Sequence, residues 1–510
     1  MNNCFSRILL ASIVTVLGVM ESLAVAPIPG LNLEEPRRPK APFEIVFHDS
    51  KSNMQRVTPR LRAPKINLAP KGLLLLVDFS DVTFDLMNTQ QAFDSLANGD
   101  DYTYNGATGS CQAYFKAQSN GQYIPEFDVV GPLVLPHPTA YYGANDKDGY
   151  DQYVVDLVID ACRAADQNGV DFSQYDNDKD GVVDFIYIIY AGYAESETTN
   201  ANDIWPHNWD LISAMYYGYT NQNEYYANSE TDYKLPSYDG KLVDAYACSN
   251  ELRNKTGKRA GIGTICHEFS HVLGLPDYYL TTESAIVRER ETPGAWSLMG
   301  YGNYLNNGNT PPNYSVYDKY YLGWIEPEAL TKPQSIELPA DSKTSYMLAS
   351  NEKHVAEGPY RTDTVYYIEN RQQEGWDAYL PGHGMLIWRV IYNEDDWYDN
   401  CPNDFVARYR LISAETKSSP FTEEKPKPEV PFPGKSQVTQ FAPFVHSMLE
   451  NIQESPEGII TFDYFTEGTS VENIIVAPHN GIWYNILGQP IDPKNYKGVA
   501  IHNNKKYLLR

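Results

Sequence analysis

The sequence contains few basic residues, few cysteines and no long apolar segment. Its 510 residues include 40 Lys and Arg against 66 Asp and Glu, which gives a formal net charge of −26. Because phosphate recognition needs clustered Lys and Arg, this charge argues against a nucleic-acid-binding protein. The six cysteines have no regular spacing and predict no disulfide framework, although the sequence is also compatible with one or two disulfide bridges. The apolar segment at residues 8–19 is shorter than the roughly 20 residues of a membrane-spanning helix, and no other segment qualifies.

The N-terminus has the pattern of a secretory signal peptide. Arg7 precedes the apolar residues 8–19, and small residues follow at Ala24 and Ala26. A basic start, an apolar middle and a small-residue cleavage site predict export, with residues 1–26 removed. The mature chain would then keep five of the cysteines and no transmembrane segment.

Composition and hydrophobic periodicity divide the rest of the chain into four regions. Residues 27–68 are rich in Pro and basic residues and are interpreted as a pro-segment or an extended arm. Residues 69–329 combine apolar strands with a helical period and predict an α/β domain. Residues 330–466 alternate short strands and turns, as in an all-β sandwich, and residues 467–510 are interpreted as a short β tail. The predicted elements are strands at 72–78, 183–191, 364–369, 385–390, 408–413 and 458–465, and a helix at 150–165.

The segment TICHEFSHVLGLPDYY has apolar residues at helical spacing and carries the strongest chemical pattern. His267 and His271 are four residues apart, so on a helix both imidazoles project to one side, as two ligands of a tetrahedral Zn²⁺ do. Glu268 can hold a water molecule without binding the metal. Gly274 can end the helix in a left-handed conformation, so that Asp277 supplies a third, oxygen ligand. The fourth zinc position is left for a water molecule that the metal acidifies.

A second segment, GAWSLMGY at residues 294–301, predicts a tight turn bounded by glycines. Met299 in this Met-turn is expected to lie beneath the metal ligands as an apolar floor. Tyr301 is a candidate hydrogen-bond donor to a developing oxyanion, and its alternative is a structural role among 40 tyrosines. His207 either lines the cleft or is a buried structural histidine.

An acidic loop predicts a calcium site. Carboxylates recur at Asp176, Asp178, Asp180 and Asp184, and the carbonyl of Val182 would add one more hard oxygen ligand. The spacing matches only the front half of an EF-hand loop, and a strand is predicted to follow instead of a helix. The alternative is a solvated acidic turn without an ion.

The pattern HExxHxxGxxD followed by WSLMGYG resembles the metzincin metallopeptidases. The Asp at the third ligand position and the surrounding segments are similar to peptidase family M6, the immune inhibitor A group, over about residues 69–466. This resemblance implies zinc ligands at His267, His271 and Asp277, with Glu268 as the general base. It also implies a metzincin-like α/β domain, with a twisted mixed sheet and an active-site helix, followed by an all-β sandwich-like domain. Most metzincins have His as the third ligand, so Asp277 departs from the larger clan.

These patterns together predict a secreted zinc metalloendopeptidase, a hydrolase that cleaves extracellular proteins or peptides through a zinc-bound water and a Glu general base. The alternative is a non-catalytic surface adhesin in which the zinc helix is vestigial and the β-domain binds the partner. The sequence predicts neither a cleavage preference nor an oligomeric state.

The end of the chain, from residue 481, resembles the C-terminal sorting tails of secreted bacterial proteins. It contains Y-N-x-x-G-Q, then K-G and a lysine-rich ending. With the predicted signal peptide, this implies a location outside the cell or on the surface of a Gram-negative bacterium. The alternative is a small β-hairpin that caps the preceding domain.

Overall fold

The structure is a computed structural model, and it describes most of the chain from residue 70 to residue 466. The described residues are 23–24, 70–147, 149–222, 234–254, 256–281, 285, 287, 292–341, 343–350, 358–414, 430–444, 447–466, 483–485, 490–492, 495, 498–502 and 505–509. Apart from residues 23–24, the predicted signal peptide and pro-segment lie outside the described residues.

The first part of the chain forms a mixed sheet. Its strands, in chain order, are β1 Leu23–Ala24, β2 Lys71–Asp78, β3 Glu126–Val134, β4 Ile186–Tyr190, β5 His207–Asp210, β6 Ser237–Tyr238, β7 Lys241–Leu242 and β8 Ala245–Asn250. Six of them form one sheet in the order β1-β5-β8-β4-β2-β3, while β6 and β7 pair separately. Strands β3, β2, β4 and β8 are parallel to one another, and β5 runs antiparallel to β8. The predicted mixed α/β sheet is confirmed.

Helices cover both faces of this sheet. The helices of the described residues are α1 Gln90–Asn98, α2 Cys111–Gln118, α3 Thr139–Gly143, α4 Val154–Gln167, α5 Glu195–Thr198, α6 Leu211–Tyr216, α7 Gly263–Val272, α8 Val316–Tyr321 and α9 Glu394–Tyr398. Alternate residues of β2 face opposite sides: Leu73 and Leu75 pack in one core with α4, and Leu74 and Leu76 pack in the other with α1, α2 and α7. Burial on both faces explains why β2 is an uninterrupted apolar run.

The later part of the chain forms further β-sheets. Its strands are β9 Glu328–Ala329, β10 Gln334–Leu338, β11 Tyr346–Ala349, β12 Val365–Arg371, β13 Gly384–Val390, β14 Tyr409–Leu411, β15 Phe441–Phe444, β16 Ser447–Glu454, β17 Ile460–Thr466, β18 Trp483–Asn485, β19 Pro490–Ile491, β20 Gly498–His502 and β21 Lys505–Leu509. A five-stranded sheet has the order β14-β13-β12-β11-β9, a four-stranded sheet the order β10-β17-β16-β15, and the tail strands the order β19-β18-β20-β21.

The five-stranded sheet is a middle layer between two cores. On β13, Met385 and Ile387 pack into a core that the four-stranded sheet shares. Leu386 and Trp388, on the opposite face, join the core that contains α7. This alternation follows from the period-2 geometry of a strand, and it joins the α/β region and the later sheets through continuous apolar packing.

The predicted elements are found with small shifts. Strands predicted at 364–369 and 385–390 correspond to β12 and β13, with ends that differ by at most two residues. The strand predicted at 183–191 begins only at residue 186, because Val182 pairs instead with Leu242 and the N–H of Val183 donates to the Leu242 carbonyl.

Within the described residues, no disulfide joins the five cysteines of the predicted mature chain, which are Cys111, Cys162, Cys248, Cys266 and Cys401. The disulfide bridges that the sequence left open are therefore absent from this part of the chain. In the described ranges, no helix has the length and apolar character needed to cross a membrane.

Candidate metal centre

Helix α7 is held against the sheet by an aromatic cluster. Phe269 is almost completely buried, and its ring lies 5.1 Å from Phe115, 5.2 Å from Phe127 and 5.6 Å from Phe185, centroid to centroid. All three contacts have edge-to-face geometry, which aromatic quadrupoles favour. The apolar face predicted for this segment therefore fixes the orientation of the opposite, polar face.

A glycine ends α7 as the sequence predicts. Gly274 has φ +90, a left-handed conformation that is costly for residues with a Cβ. Its N–H donates to the His271 carbonyl at 2.8 Å, and the N–H of Leu275 donates to the Ser270 carbonyl at 3.1 Å. These two bonds form a Schellman motif, and the reversed chain returns Asp277 to the helix.

Three predicted metal ligands converge. The Nε2 atom of His267 lies 3.0 Å from Oδ1 of Asp277, and Nε2 of His271 lies 3.6 Å from the same oxygen. Tetrahedral ligands at about 2.0–2.1 Å from zinc are separated from one another by about 3.3 Å. The observed distances lie on either side of this value, so the spacing fits one small cation.

Backbone carbonyls set the orientation of both imidazoles. The Nδ1 atom of His267 lies 2.9 Å from the Leu298 carbonyl oxygen, and Nδ1 of His271 lies 2.8 Å from the Leu275 carbonyl oxygen. A carbonyl only accepts, so each Nδ1 carries the proton and Nε2 is the atom directed toward the centre. Hydrogen bonds of this kind commonly orient metal-bound histidines.

The atoms directed toward the centre are buried and, within the described residues, have no hydrogen-bond partner beyond one another: Nε2 of His267, Nε2 of His271, both carboxylate oxygens of Glu268 and Oδ1 of Asp277. Leaving one such group unsatisfied costs about 1–3 kcal/mol. Several unsatisfied polar groups that face one small space are therefore expected only where a further group binds them. The donor set of two imidazole nitrogens and a carboxylate oxygen fits zinc, with Glu268 nearby at 4.0 Å from Nε2 of His271.

The electrostatics of the centre keep one carboxylate ionised and one histidine neutral. Burial lowers the pKa of His271 to about 4. Burial also opposes ionisation of Asp277, but His271 and His267 hold the pKa of that carboxyl below its usual range. For His267, the contact and charge of Asp277 outweigh burial and raise the pKa to about 9. A metal ion at Nε2 takes the place of that proton, so metal binding is expected to release it.

The predicted Met-turn at residues 294–301 lies beside the predicted metal ligands, because the Leu298 carbonyl contacts His267. An added Cβ on Gly300 would lie 2.4 Å from the Gly294 carbonyl, so the turn closes only with glycine there. Met299 is completely buried, and its carbonyl accepts a hydrogen bond from the N–H of Tyr278 at 2.7 Å. The turn thus supports the chain on both sides of the centre, through the carbonyls of Leu298 and Met299.

Two tyrosine rings form a chain of aromatic contacts that starts at His267. The ring of Tyr279 stacks on His267 with centroids 6.4 Å apart, and the ring of Tyr301 lies 6.1 Å from Tyr279. Tyr301, the predicted oxyanion donor, is therefore connected to His267 through the ring of Tyr279. The sequence singled out Tyr301 from its position after the turn and did not point to Tyr279.

A supporting residue that the sequence does not point to is Asn400. Its Nδ2 donates to Oδ2 of Asp277 at 2.8 Å, and its Oδ1 accepts from the N–H of Asp277 at 2.6 Å. The two residues are 123 positions apart, and a single asparagine in a loop carries no recognisable motif.

His207 is a buried structural residue on β5. Its Nδ1 lies 2.6 Å from the Trp205 carbonyl and its Nε2 lies 2.9 Å from the Tyr246 hydroxyl. Burial lowers its pKa to about 4. Of the two interpretations that the sequence left open, the buried one is favoured.

The predicted calcium loop brings part of its ligand set together. Carboxylate oxygens of Asp176, Asp178 and Asp180 lie within 4.8 Å of one another. Lys241 already compensates part of this charge, because its Nζ lies 2.7 Å from Asp176. Asp184 is outside this cluster and accepts two hydrogen bonds from Asn177, at 2.6 and 2.9 Å.

The remaining member of the predicted calcium set, Val182, has backbone contacts with Asp180 and Leu242. Its N–H donates to Oδ1 of Asp180 at 3.0 Å, and it forms an isolated bridge with Leu242. The calcium site stays a prediction.

Comparison with known proteins shows that the sequence of this region matches a described family. Residues 68–324, just over half of the chain, match the family described as Immune inhibitor A peptidase M6, catalytic domain. Immune inhibitor A of Bacillus thuringiensis subsp. alesti is 29% identical over 231 residues, which are 41% of this chain and 31% of that protein. Pre-pro-metalloprotease PrtV of Vibrio cholerae serotype O1 (strain M66-2) is 24% identical over 303 residues, 51% of this chain and 31% of that protein. The matches thus span about a third of these relatives. The chain belongs to the immune inhibitor A peptidase family, M6.

Proposed function

We propose that this protein is a secreted zinc-dependent endopeptidase that hydrolyses peptide bonds of extracellular proteins. The observation that carries the proposal is the set of buried donor atoms of His267, His271, Asp277 and Glu268, which in the described part of the chain have no hydrogen-bond partner beyond one another. The family membership and the relative named as a metalloprotease support it.

Each side chain has its own role in the proposed reaction. His267, His271 and Asp277 hold the metal. A bound zinc ion acidifies a water molecule and polarises the scissile carbonyl. Glu268 accepts the proton of the attacking water on a carboxylate oxygen and passes it to the leaving amine. Burial raises the pKa of Glu268 well above its usual range.

The Met-turn and its tyrosine complete the proposed site. Met299 forms the apolar floor, and Tyr301 stabilises the developing oxyanion with its hydroxyl. The assignment of the α/β region to the metzincin fold belongs to the same proposal, and the mixed sheet with one helix carrying both histidines supports it. The same proposal includes export through the predicted signal peptide. It also includes a structural calcium ion bound by Asp176, Asp178, Asp180, Asp184 and the carbonyl of Val182.

The test is the Glu268→Gln variant, which keeps the size of the side chain and removes its ability to accept a proton. Casein digestion is expected to fall at least about 100-fold, the lower range for loss of a general base, while zinc content stays at one equivalent. The control Glu454→Gln alters an acid on the distant four-stranded sheet and is expected to digest casein normally. Undiminished digestion by Glu268→Gln contradicts the mechanism. Chelator-insensitive digestion, or none by the wild type, contradicts the zinc peptidase assignment, and the second result favours the non-catalytic adhesin.

A further inference from the structure

We propose that Asn400 is a positioning residue that selects which oxygen of Asp277 binds the metal, a proposal that rests on the zinc site proposed above. Asn400 lies well beyond residue 324, where the family match ends. The third ligand would therefore be held in place by a part of the chain outside the matched peptidase region.

The hydrogen bonds between the two residues are reciprocal. The amide oxygen of Asn400 accepts from the backbone N–H of Asp277, and the amide nitrogen donates to Oδ2 of Asp277. This pair fixes both the backbone position and the rotation of the carboxylate. With Oδ2 occupied, Oδ1 is the oxygen that lies next to Nε2 of His267 and Nε2 of His271. The carboxylate is thereby prepared to bind through one oxygen, which leaves room for a fourth ligand at a tetrahedral metal.

The conformation of the loop favours asparagine at this position. Asn400 follows α9 with φ +53, in the left-handed region. Asparagine is among the few residues with a Cβ that adopt this conformation readily. Aspartate has similar backbone tolerance but would place a second carboxylate against Oδ2 of Asp277. Backbone and side chain therefore both favour asparagine here.

Residues that follow Asn400 form further hydrogen bonds with the segment that follows Asp277. The Nδ2 atom of Asn403 donates to the Tyr278 carbonyl at 2.9 Å. The carboxylate of Asp404 accepts from the N–H of Thr281 at 2.9 Å and from its hydroxyl at 2.8 Å. The loop after α9 therefore holds the ligand segment at several successive points, and Asn400 is the one that contacts a ligand.

The experiment compares Asn400→Gly with a matched control. Glycine adopts the left-handed conformation freely, so the variant removes the amide without straining the loop. Asn451→Gly is the control, because Asn451 also has positive φ (54°) and donates from Nδ2 to a carboxylate, Asp463, at 2.7 Å, but on the four-stranded sheet. Zinc dissociation constants are measured by competition with a chromogenic chelator, and the visible spectrum of the cobalt-substituted protein reports ligand geometry.

We expect Asn400→Gly to bind zinc about 10- to 100-fold more weakly, the usual effect of losing an outer partner of a metal ligand, and to show an altered cobalt spectrum. Asn451→Gly should match the wild type in both measurements. Wild-type zinc affinity in folded Asn400→Gly overturns the proposal.

If Asn400→Gly does not fold, Asn400→Ser, which keeps one hydrogen-bonding oxygen, is measured in the same way. Failure of both variants to fold also overturns the proposal, because the residue would then serve the fold alone. A wild-type protein that binds zinc but digests no casein refutes the proposed function and leaves the affinity comparison intact.

Discussion

Replacing Phe269 by alanine tests whether the aromatic cluster fixes α7, the helix that carries the two predicted histidine ligands. Phe269 is 4% exposed, and burial of such a ring contributes about 1.5–3 kcal/mol. Each of the three edge-to-face contacts adds about 0.5–1.5 kcal/mol. Together these contributions reach or exceed the range of about 3–5 kcal/mol measured for Phe→Ala in a core, so we expect a loss in the upper part of that range, about 4–5 kcal/mol.

A loss of this size is a large share of the roughly 5–15 kcal/mol that stabilises most proteins. It should also weaken zinc binding, because His267 and His271 lie on the helix that Phe269 anchors. Urea unfolding followed by circular dichroism measures the stability, and chelator competition measures the affinity. The control is Phe465→Ala on β17, a ring that is 43% exposed, for which a change within about 0.5 kcal/mol is expected. A loss under about 1 kcal/mol at Phe269, or an equal loss at Phe465, would refute the reasoning.

Two other predictions concern acidic groups away from the metal centre. Burial and then the neighbouring Asp210 raise the pKa of Asp244 from an ordinary value of 3.8 to about 8. The folded state therefore holds an extra proton between these values, so stability falls as pH rises from about 4 to about 8. Asp244→Asn should flatten that slope in urea unfolding, and an equally steep slope would contradict the assignment. A calcium ion at the acidic loop predicts that a chelator lowers stability in calorimetry. Asp180→Ala should abolish this sensitivity, whereas Asp171→Ala, which removes an exposed carboxylate just before the loop, should retain it. Insensitivity of the wild type would rule the ion out.

The parts of the site that the sequence predicts are those whose information is local. His267, His271 and Asp277 lie within eleven residues, and their geometry follows from the helical period and from one left-handed turn at Gly274. The structure brings these residues together because Gly274 adopts that conformation. The α/β character of this region is equally predictable, since buried parallel strands require uninterrupted apolar runs such as β2. The mixed sheet is expected only from the family resemblance.

The parts that the sequence does not predict depend on contacts between distant segments. No local rule links Asn400 to Asp277, because an asparagine in a loop satisfies many other structures equally well. The strand predicted from residue 183 begins later for the same reason: residues 182 and 183 have good strand propensity, but Leu242 offers them a different partner. Propensity therefore identifies the segments, and tertiary pairing decides where they end.

The contact between Asn400 and Asp277 requires the α/β region and the later sheets to keep a fixed relative position. A buried polar network joins them close to the five-stranded sheet. Arg371 on β12 donates to Asp377 at 2.6 Å and to the Asn313 carbonyl at 3.0 Å, and Asp377 accepts from the N–H of Asn313 at 2.9 Å. Desolvation offsets much of the attraction in a buried ion pair, so this network contributes orientation more than net stability. Hydrogen bonds have a preferred direction, so those between the α/β region and the later sheets limit sliding of one part against the other. Apolar packing alone resists such sliding less. The later sheets can therefore position Asp277, the proposed third ligand, in the earlier region.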